Sequence, residues 1–324
     1  MYPVKGGKQL QKVLETAFRN NLSVIISGSS GIGKSEIVYQ VASKVGLPVR
    51  ECRLYLMDPG EAKGIPDVEG RRTIWTRPDW LPEEPCVLFF DDIHAVMDQL
   101  QAPLYELLLT RHLHGHPIPD GVRFVAAGNI GMSSASAQEI LAPIMARFNI
   151  AIEFEPEVND FAAYISSLDA GPEKTKIAAF LLAYPEYLYE KDPAPSQMFP
   201  CPRTWVNLLK NLEAGYDISV ATGTVGVTAG TKFVDIYPIL GRSKRELMSQ
   251  VPSNIKEQIT LAAALARYDF DNEIAEFIRN RLSLEAQMLY FRSVVLMHPD
   301  KLLELIENPY ITEAANEIVQ LLQD

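Results

Sequence analysis

Cysteine is scarce in this chain of 324 residues: Cys52, Cys86 and Cys201 lie far apart and are odd in number. That excludes a disulfide framework and any CxxC redox or metal motif. Cys52 falls in a strand-like run and Cys86 borders another, so buried, reduced thiols are expected. Long hydrophobic runs are missing too. None approaches the roughly 20 apolar residues needed to cross a bilayer. The opening segment MYPVKGGKQLQKVLETAF becomes amphipathic rather than solidly apolar, which does not read as a secretory signal. The expectation is a soluble, cytoplasmic protein without a membrane partner. Basic residues are in deficit as well, 30 Lys and Arg against 41 Asp and Glu, for a net charge of −11. Non-specific binding to nucleic acid or anionic lipid needs a positive field that this balance does not supply, although a local basic patch or pore stays compatible with it.

What is present is ordinary globular material. The hydrophobic fraction is 47%, which suits packed cores, and the length suggests about two domains of roughly 150 residues. Leu10, Val13, Leu14, Ala17 and Phe18 recur at helical spacing. The β-branched run SVIIS (23–27) reads as a buried strand and leads into the glycine-rich turn GSSGIGKS. Ile37, Val38, Val41, Ala42 and Val45 then mark a helix that Gly46 and Pro48 stop. Further strands are expected at about 49–56, at 87–90, at 123–127 and at 149–154. Helical patterns between most of them predict an α/β layer around a mainly parallel, five-stranded sheet. The proline-rich tract DPAPSQMFPCPR (192–203) lies within a region that is otherwise overwhelmingly helical, apart from the glycine-punctuated GTVGVTAG (223–230). The expected division is 1–155 as the α/β domain, 156–245 as an all-α lid and 246–324 as a helical C-terminal region.

Gly28, Ser29, Ser30, Gly31, Ile32, Gly33, Lys34 and Ser35 match G-x-x-x-x-G-K-[ST] in full, between a strand and a helix as that motif requires. Glycines let the backbone turn its N–H groups toward a phosphate chain, and the helix N-terminus adds partial positive charge. Lys34 can reach the outer phosphates, and the Ser35 hydroxyl can ligate Mg²⁺. Glu36 completes the candidate nucleotide-binding set. A plain glycine turn would leave a lysine at a helix start unexplained, since cations are disfavoured there. The third strand ends CVLFFDDIH, delivering Asp91 and Asp92 where open α/β sheets bind their ligands. Asp91 suits a metal held through water, and Asp92 suits polarising an attacking water. Two exposed carboxylates in a turn are the plainer alternative.

The stretch DDIHAVMDQLQAPLYELLLTRHLHGHPIPDGVRFVAAGN resembles the Walker B to sensor 1 region of the MoxR-type AAA+ ATPases, P-loop NTPases with a helical lid. The resemblance places Asn129 as the sensor that meets both the attacking water and the γ-phosphate. It continues in LAPIMARF, whose Arg147 falls where the family's arginine reaches a neighbouring subunit's nucleotide; a cation capping a helix C-terminus explains it as well. CPRTW (201–205) resembles the sensor 2 entry and puts Arg203 near the γ-phosphate. MDPGEAKGIPDVEGRRTIWTRPDWLP resembles an insertion on the ring face that meets substrates, and RLSLEAQMLYFRSV resembles the helical tail of one subgroup. Two departures stand out. Asp92 replaces the family's glutamate and withdraws the carboxylate by about one methylene, and Pro103 interrupts the helical pattern Leu100, Leu104, Leu107, Leu108.

His112, His114 and His116 alternate in HLHGH and in one strand would share a side. They could then form a zinc site, but exposed hairpin histidines are the simpler reading. Trp75, Trp80 and Trp205 lack basic neighbours and suit packing better than base stacking. The resemblance implies an ATPase using ATP/ADP and Mg²⁺, assembled as a homo-oligomeric ring, a hexamer being the expected form. It would remodel or activate a protein client, in this family often one with a von Willebrand factor A domain. A nucleic-acid motor or loader and a nucleotide-gated scaffold with slow hydrolysis are the alternatives; a small-molecule kinase is remote.

Overall fold

The computed structural model describes residues 1–130, 142–194, 196–249 and 251–301. The chain divides into two compact units, Met1–Pro156 and the residues from Glu157 onward.

The first unit is built on one parallel sheet. Its strands are β1 (Tyr2–Lys5), β2 (Val24–Ser27), β3 (Val49–Cys52), β6 (Val87–Phe90), β9 (Arg123–Gly128) and β10 (Ile150–Glu155), in the order β1-β10-β2-β9-β6-β3. β2 and β6 are buried at all four positions, which is why they read as unbroken apolar runs instead of alternating ones. The sheet has six strands, one more than the five expected. The extra one is β1, an edge strand in which only Val4 is buried and which pairs in parallel with β10 from Tyr2↔Ile152 to Lys5↔Glu155. The expected strand over 49–56 stops at Cys52, and Leu54–Leu56 form a 3₁₀ turn.

Helix α1 (Gly7–Arg19) buries Leu10, Leu14, Ala17 and Phe18, and α2 (Lys34–Lys44) buries Ile37, Val38, Val41 and Ala42. These are the faces their spacing marks out. Between β3 and β6 lie a short helix, α3 (Pro59–Lys63), and an exposed antiparallel hairpin of β4 (Pro66–Glu69) with β5 (Arg72–Trp75). After β6 comes α4 (Asp98–Thr110), which runs on through the buried Pro103. Two-residue strands β7 (His112–Leu113) and β8 (His116–Pro117) follow, and α5 (Ala142–Met145) precedes β10. All three cysteines are free and buried. Burial pushes the Cys52 thiol up to about 12 and also raises Cys86, so both are unreactive at neutral pH.

The second unit is helical: α6 (Val158–Ser167), α7 (Glu173–Ala183), α8 (Pro202–Glu213), α9 (Val220–Thr224), α10 (Val227–Leu240), α11 (Lys244–Met248), α12 (Ile255–Leu265), α13 (Asn272–Arg281) and α14 (Leu284–Met297). One apolar cluster, with Phe180, Trp205, Phe233 and Phe291 among its large side chains, runs through it. The segment 223–230 is itself largely helical, covering the end of α9 and the start of α10. Among the described residues no helix is long and apolar enough to cross a membrane.

Candidate nucleotide site

Sequence order delivers three loops to the carboxyl ends of β2, β9 and β6, which are adjacent in the sheet. The first is Gly28–Ser35. Gly31 and Gly33 take φ of 75° and 98°, left-handed conformations that L side chains rarely adopt. Gly28 is needed for a different reason: a Cβ there would lie 2.7 Å from the Phe154 carbonyl oxygen of β10 and 2.7 Å from Ile32 Cδ1. The loop ends at Gly33, the residue before α2, and no side chain caps that helix. Its leading N–H groups and its partial positive charge therefore face the loop. Lys34 Nζ crosses this cradle and donates to the carbonyl oxygens of Gly28 at 2.7 Å and Ser29 at 2.8 Å. Ser29 is buried, Ser30 exposed, and Glu36 is an exposed acid in the first turn of α2.

The second loop follows β6. Both oxygens of Asp91 are engaged: the Ser35 hydroxyl donates to Oδ2 at 3.0 Å and the Asp92 N–H to Oδ1 at 3.1 Å. Asp91 is half-buried, and that burial holds its carboxyl above the ordinary range. The neighbouring Asp92 charge adds to the effect, while the Ser35 hydrogen bond opposes it. Asp92 turns left-handed, with φ 49° and ψ 40°, and starts the 3₁₀ turn Ile93–Ala95. Its carboxylate is exposed.

The third loop follows β9. Asn129 is half-buried, and its Oδ1 is out of solvent with no hydrogen-bond partner among the described residues. Its backbone N–H donates to Nδ1 of His94 at 3.2 Å, so the turn after β6 is tied to the end of β9. Burial lowers the His94 pKa, opposed by Asp92 and assisted by Lys34. Sequence reasoning singled out Asp91, Asp92 and Asn129 but not His94, although it stands in the same DDIH quartet.

Phosphate loop, acidic strand end and polar strand end thus meet at one edge of a parallel sheet, the order in which P-loop ATPases are built. Residues 24–156 match the family of ATPases associated with various cellular activities (AAA). Among solved structures, the chain resembles the RuvB Holliday junction branch migration motor of Thermotoga maritima at 17% identity, covering 95% of this chain and 86% of that one with a TM-score of 0.39; a proline-to-glycine mutant of that RuvB gives 0.44. NtrX from Brucella abortus in complex with ADP is 14% identical over 98% of this chain and 68% of its own, with a TM-score of 0.42. Comparison with curated proteins finds no match.

Elsewhere in the first unit, Arg147 follows α5. Its Nη1 donates to the Pro143 carbonyl at 2.7 Å, and its guanidinium lies over the Tyr105 ring at 3.8 Å. Its own carbonyl accepts from Ser23 Oγ. Ser23 precedes β2, whereas the phosphate loop follows it, so about 13 Å of strand separates the two ends. Arg147 therefore stands apart from the phosphate loop of its own chain. Leu141, the first residue of the LAPIMARF stretch, lies outside the described residues.

The histidine triplet does not share a strand face. His114 (φ 47°) and Gly115 form the turn between β7 and β8, which separates the three side chains. His112 Nδ1 meets the Thr110 carbonyl, His116 Nε2 meets the Trp75 carbonyl, and the His114 ring stacks on Trp75 at 4.5 Å. Among the described residues no cluster of three metal-ligating side chains exists. Trp80 and Trp205 are buried, each donating its indole N–H to a main-chain carbonyl. In the helical unit, Arg203 is an exposed residue in the first turn of α8.

Proposed function

We propose that the chain is a Mg·ATP-hydrolysing AAA+ ring ATPase of MoxR type that remodels or activates a protein client. The observation that carries the catalytic part of this reading is the 3.0 Å bond from Ser35 to Asp91. It joins the phosphate loop to the acidic strand end through an all-oxygen donor pair, the chemistry that a hard divalent cation selects. The uncapped start of α2 and the left-handed glycines before it fit a polyphosphate. Ser35 and Asp91 would hold Mg²⁺, which when bound neutralises charge on the phosphates. Lys34 would leave the carbonyls it now bonds for the outer phosphate oxygens. Asp92, exposed beside this pair, would orient and polarise water for attack, and Asn129, whose amide oxygen has no partner among the described residues, would align that water. Arg147, from a neighbouring subunit, would add positive charge as the γ-phosphate develops negative charge.

The MoxR assignment rests on the sequence resemblance, including the exposed β4–β5 insertion, and so does the protein client. Asp92→Asn tests the catalytic assignment. Phosphate release from Mg·ATP should fall about 10²- to 10⁴-fold, the usual contribution of a positioned acid or base, while fluorescent-nucleotide affinity changes little. A variant as fast as the parent removes Asp92 from the mechanism.

A further inference from the structure

His94 has no role in the reading above, yet it is the one described side chain seen to bond the main chain of Asn129 from the acidic turn. It lies three residues beyond Asp91, in the turn after β6, and its Nδ1 accepts the Asn129 N–H at the end of β9. An accepting Nδ1 in a neutral imidazole leaves the proton on Nε2, and burial favours that neutral form. The approach is close enough to dictate the residue before Asn129. A Cβ on Gly128 would lie 2.9 Å from His94 Nδ1 and 3.2 Å from its backbone N. Strand register brings the partners together, since Phe90 pairs with Ala126. β6 ends at Phe90, a short turn before His94, and β9 ends at Gly128, immediately before Asn129. The Asn129 Oδ1, buried and without a partner among the described residues, is the atom that this main-chain contact places.

We propose that His94 is a positioning residue for hydrolysis: its Nδ1 holds the Asn129 main chain so that the Asn129 amide faces the same space as the Asp91–Asp92 turn. This rests on the reading of the site as an ATPase. His94 need not touch nucleotide; it sets the register between the residue that polarises water and the residue that aligns it. Loss of the acceptor frees Asn129 to shift, and a misplacement of about 1 Å can cost on the order of a hundredfold in rate.

Asparagine and glutamine at position 94 separate this role from packing, because Asn places its amide oxygen near the site of Nδ1 and Gln places its own near Nε2. In His94→Leu and His94→Gln, kcat for Mg·ATP should fall about tenfold or more, with KM and fluorescent-nucleotide affinity within about twofold. His94→Asn should recover most of the rate. Thermal melting checks that each variant is folded, and the Asn/Gln pair decides the matter even where Leu does not fold. Equal kcat for Asn and Gln, or a fully active Leu variant, overturns the proposal while the ATPase reading stands. A parent that binds no nucleotide and releases no phosphate overturns the ATPase reading itself, and this proposal with it.

Discussion

At single-residue scale, Asp91 of the proposed site works against the stability of its own fold. Its carboxylate is half-buried at a strand end, and burial raises its pKa in the folded chain. A group whose folded pKa is raised contributes its stability below the unfolded pKa and loses it as pH rises through the folded one. Ionised Asp91 is therefore a net cost at neutral pH in the ligand-free protein, one that a bound cation would offset. Asp91→Asn should melt at a higher temperature than the parent at pH 7 without nucleotide, and the gap should narrow as the solution is acidified. The same variant should lose the Mg²⁺-dependent part of nucleotide affinity. A ligand-free Asp91→Asn protein that melts below the parent at pH 7 contradicts this view of the site. Asp92 stands in contrast. It is exposed and left-handed, a conformation that Asp tolerates better than most residues do, so its carboxylate carries no comparable burial.

At the scale of elements, the loop between β2 and α2 is shaped by what lies beside it. Gly28 is packed against the carbonyl of Phe154 on β10, so Gly28→Ala should destabilise the domain by about 1–3 kcal/mol, the usual cost of overpacking. The measurement is the chemical-denaturation midpoint, and an unchanged midpoint would show that the loop yields freely. This contact was invisible in the sequence, whereas the loop itself was plain. The difference is general to the fold. β2, β6 and β9 could be read because strands buried on both faces become apolar runs, and the carboxyl end of β6 named Asp91 and Asp92, whereas Asn129 was named only through the family resemblance. β1 escaped because a four-residue edge strand with only Val4 buried has no such pattern. The β4–β5 hairpin escaped for a related reason: seven of its eight residues are exposed and the eighth, Trp75, only half-buried, so no period-two alternation marks it. His112, His114 and His116 misled by spacing, because alternation implies one face only when no turn intervenes, and His114 occupies the turn. His94 was missed because its partner Asn129 lies 35 residues away and meets it only through the pairing of β6 with β9.

The whole molecule is where the proposed mechanism commits itself most. Arg147 stands at the amino end of β2 and the phosphate loop at the other end, so within one chain the two do not serve one site. On the proposed reading they meet when a second copy packs head to tail, a contact that closes into a ring only for the right rotation. Such a trans-acting arginine can contribute about 10³–10⁵ in rate. The stacking of Arg147 on Tyr105 and its bond to Pro143 mean that it must be drawn from a cap it already has. The most direct measurement is phosphate release from a mixture of Lys34→Ala and Arg147→Ala chains. Each alone should be nearly inactive, the first for want of nucleotide and the second for want of the neighbour's charge. Mixed rings should recover activity, because some interfaces then pair an intact Lys34 with an intact Arg147. An Arg147→Ala chain as active as the parent, or co-assembled mixtures with no recovered activity, would contradict the account.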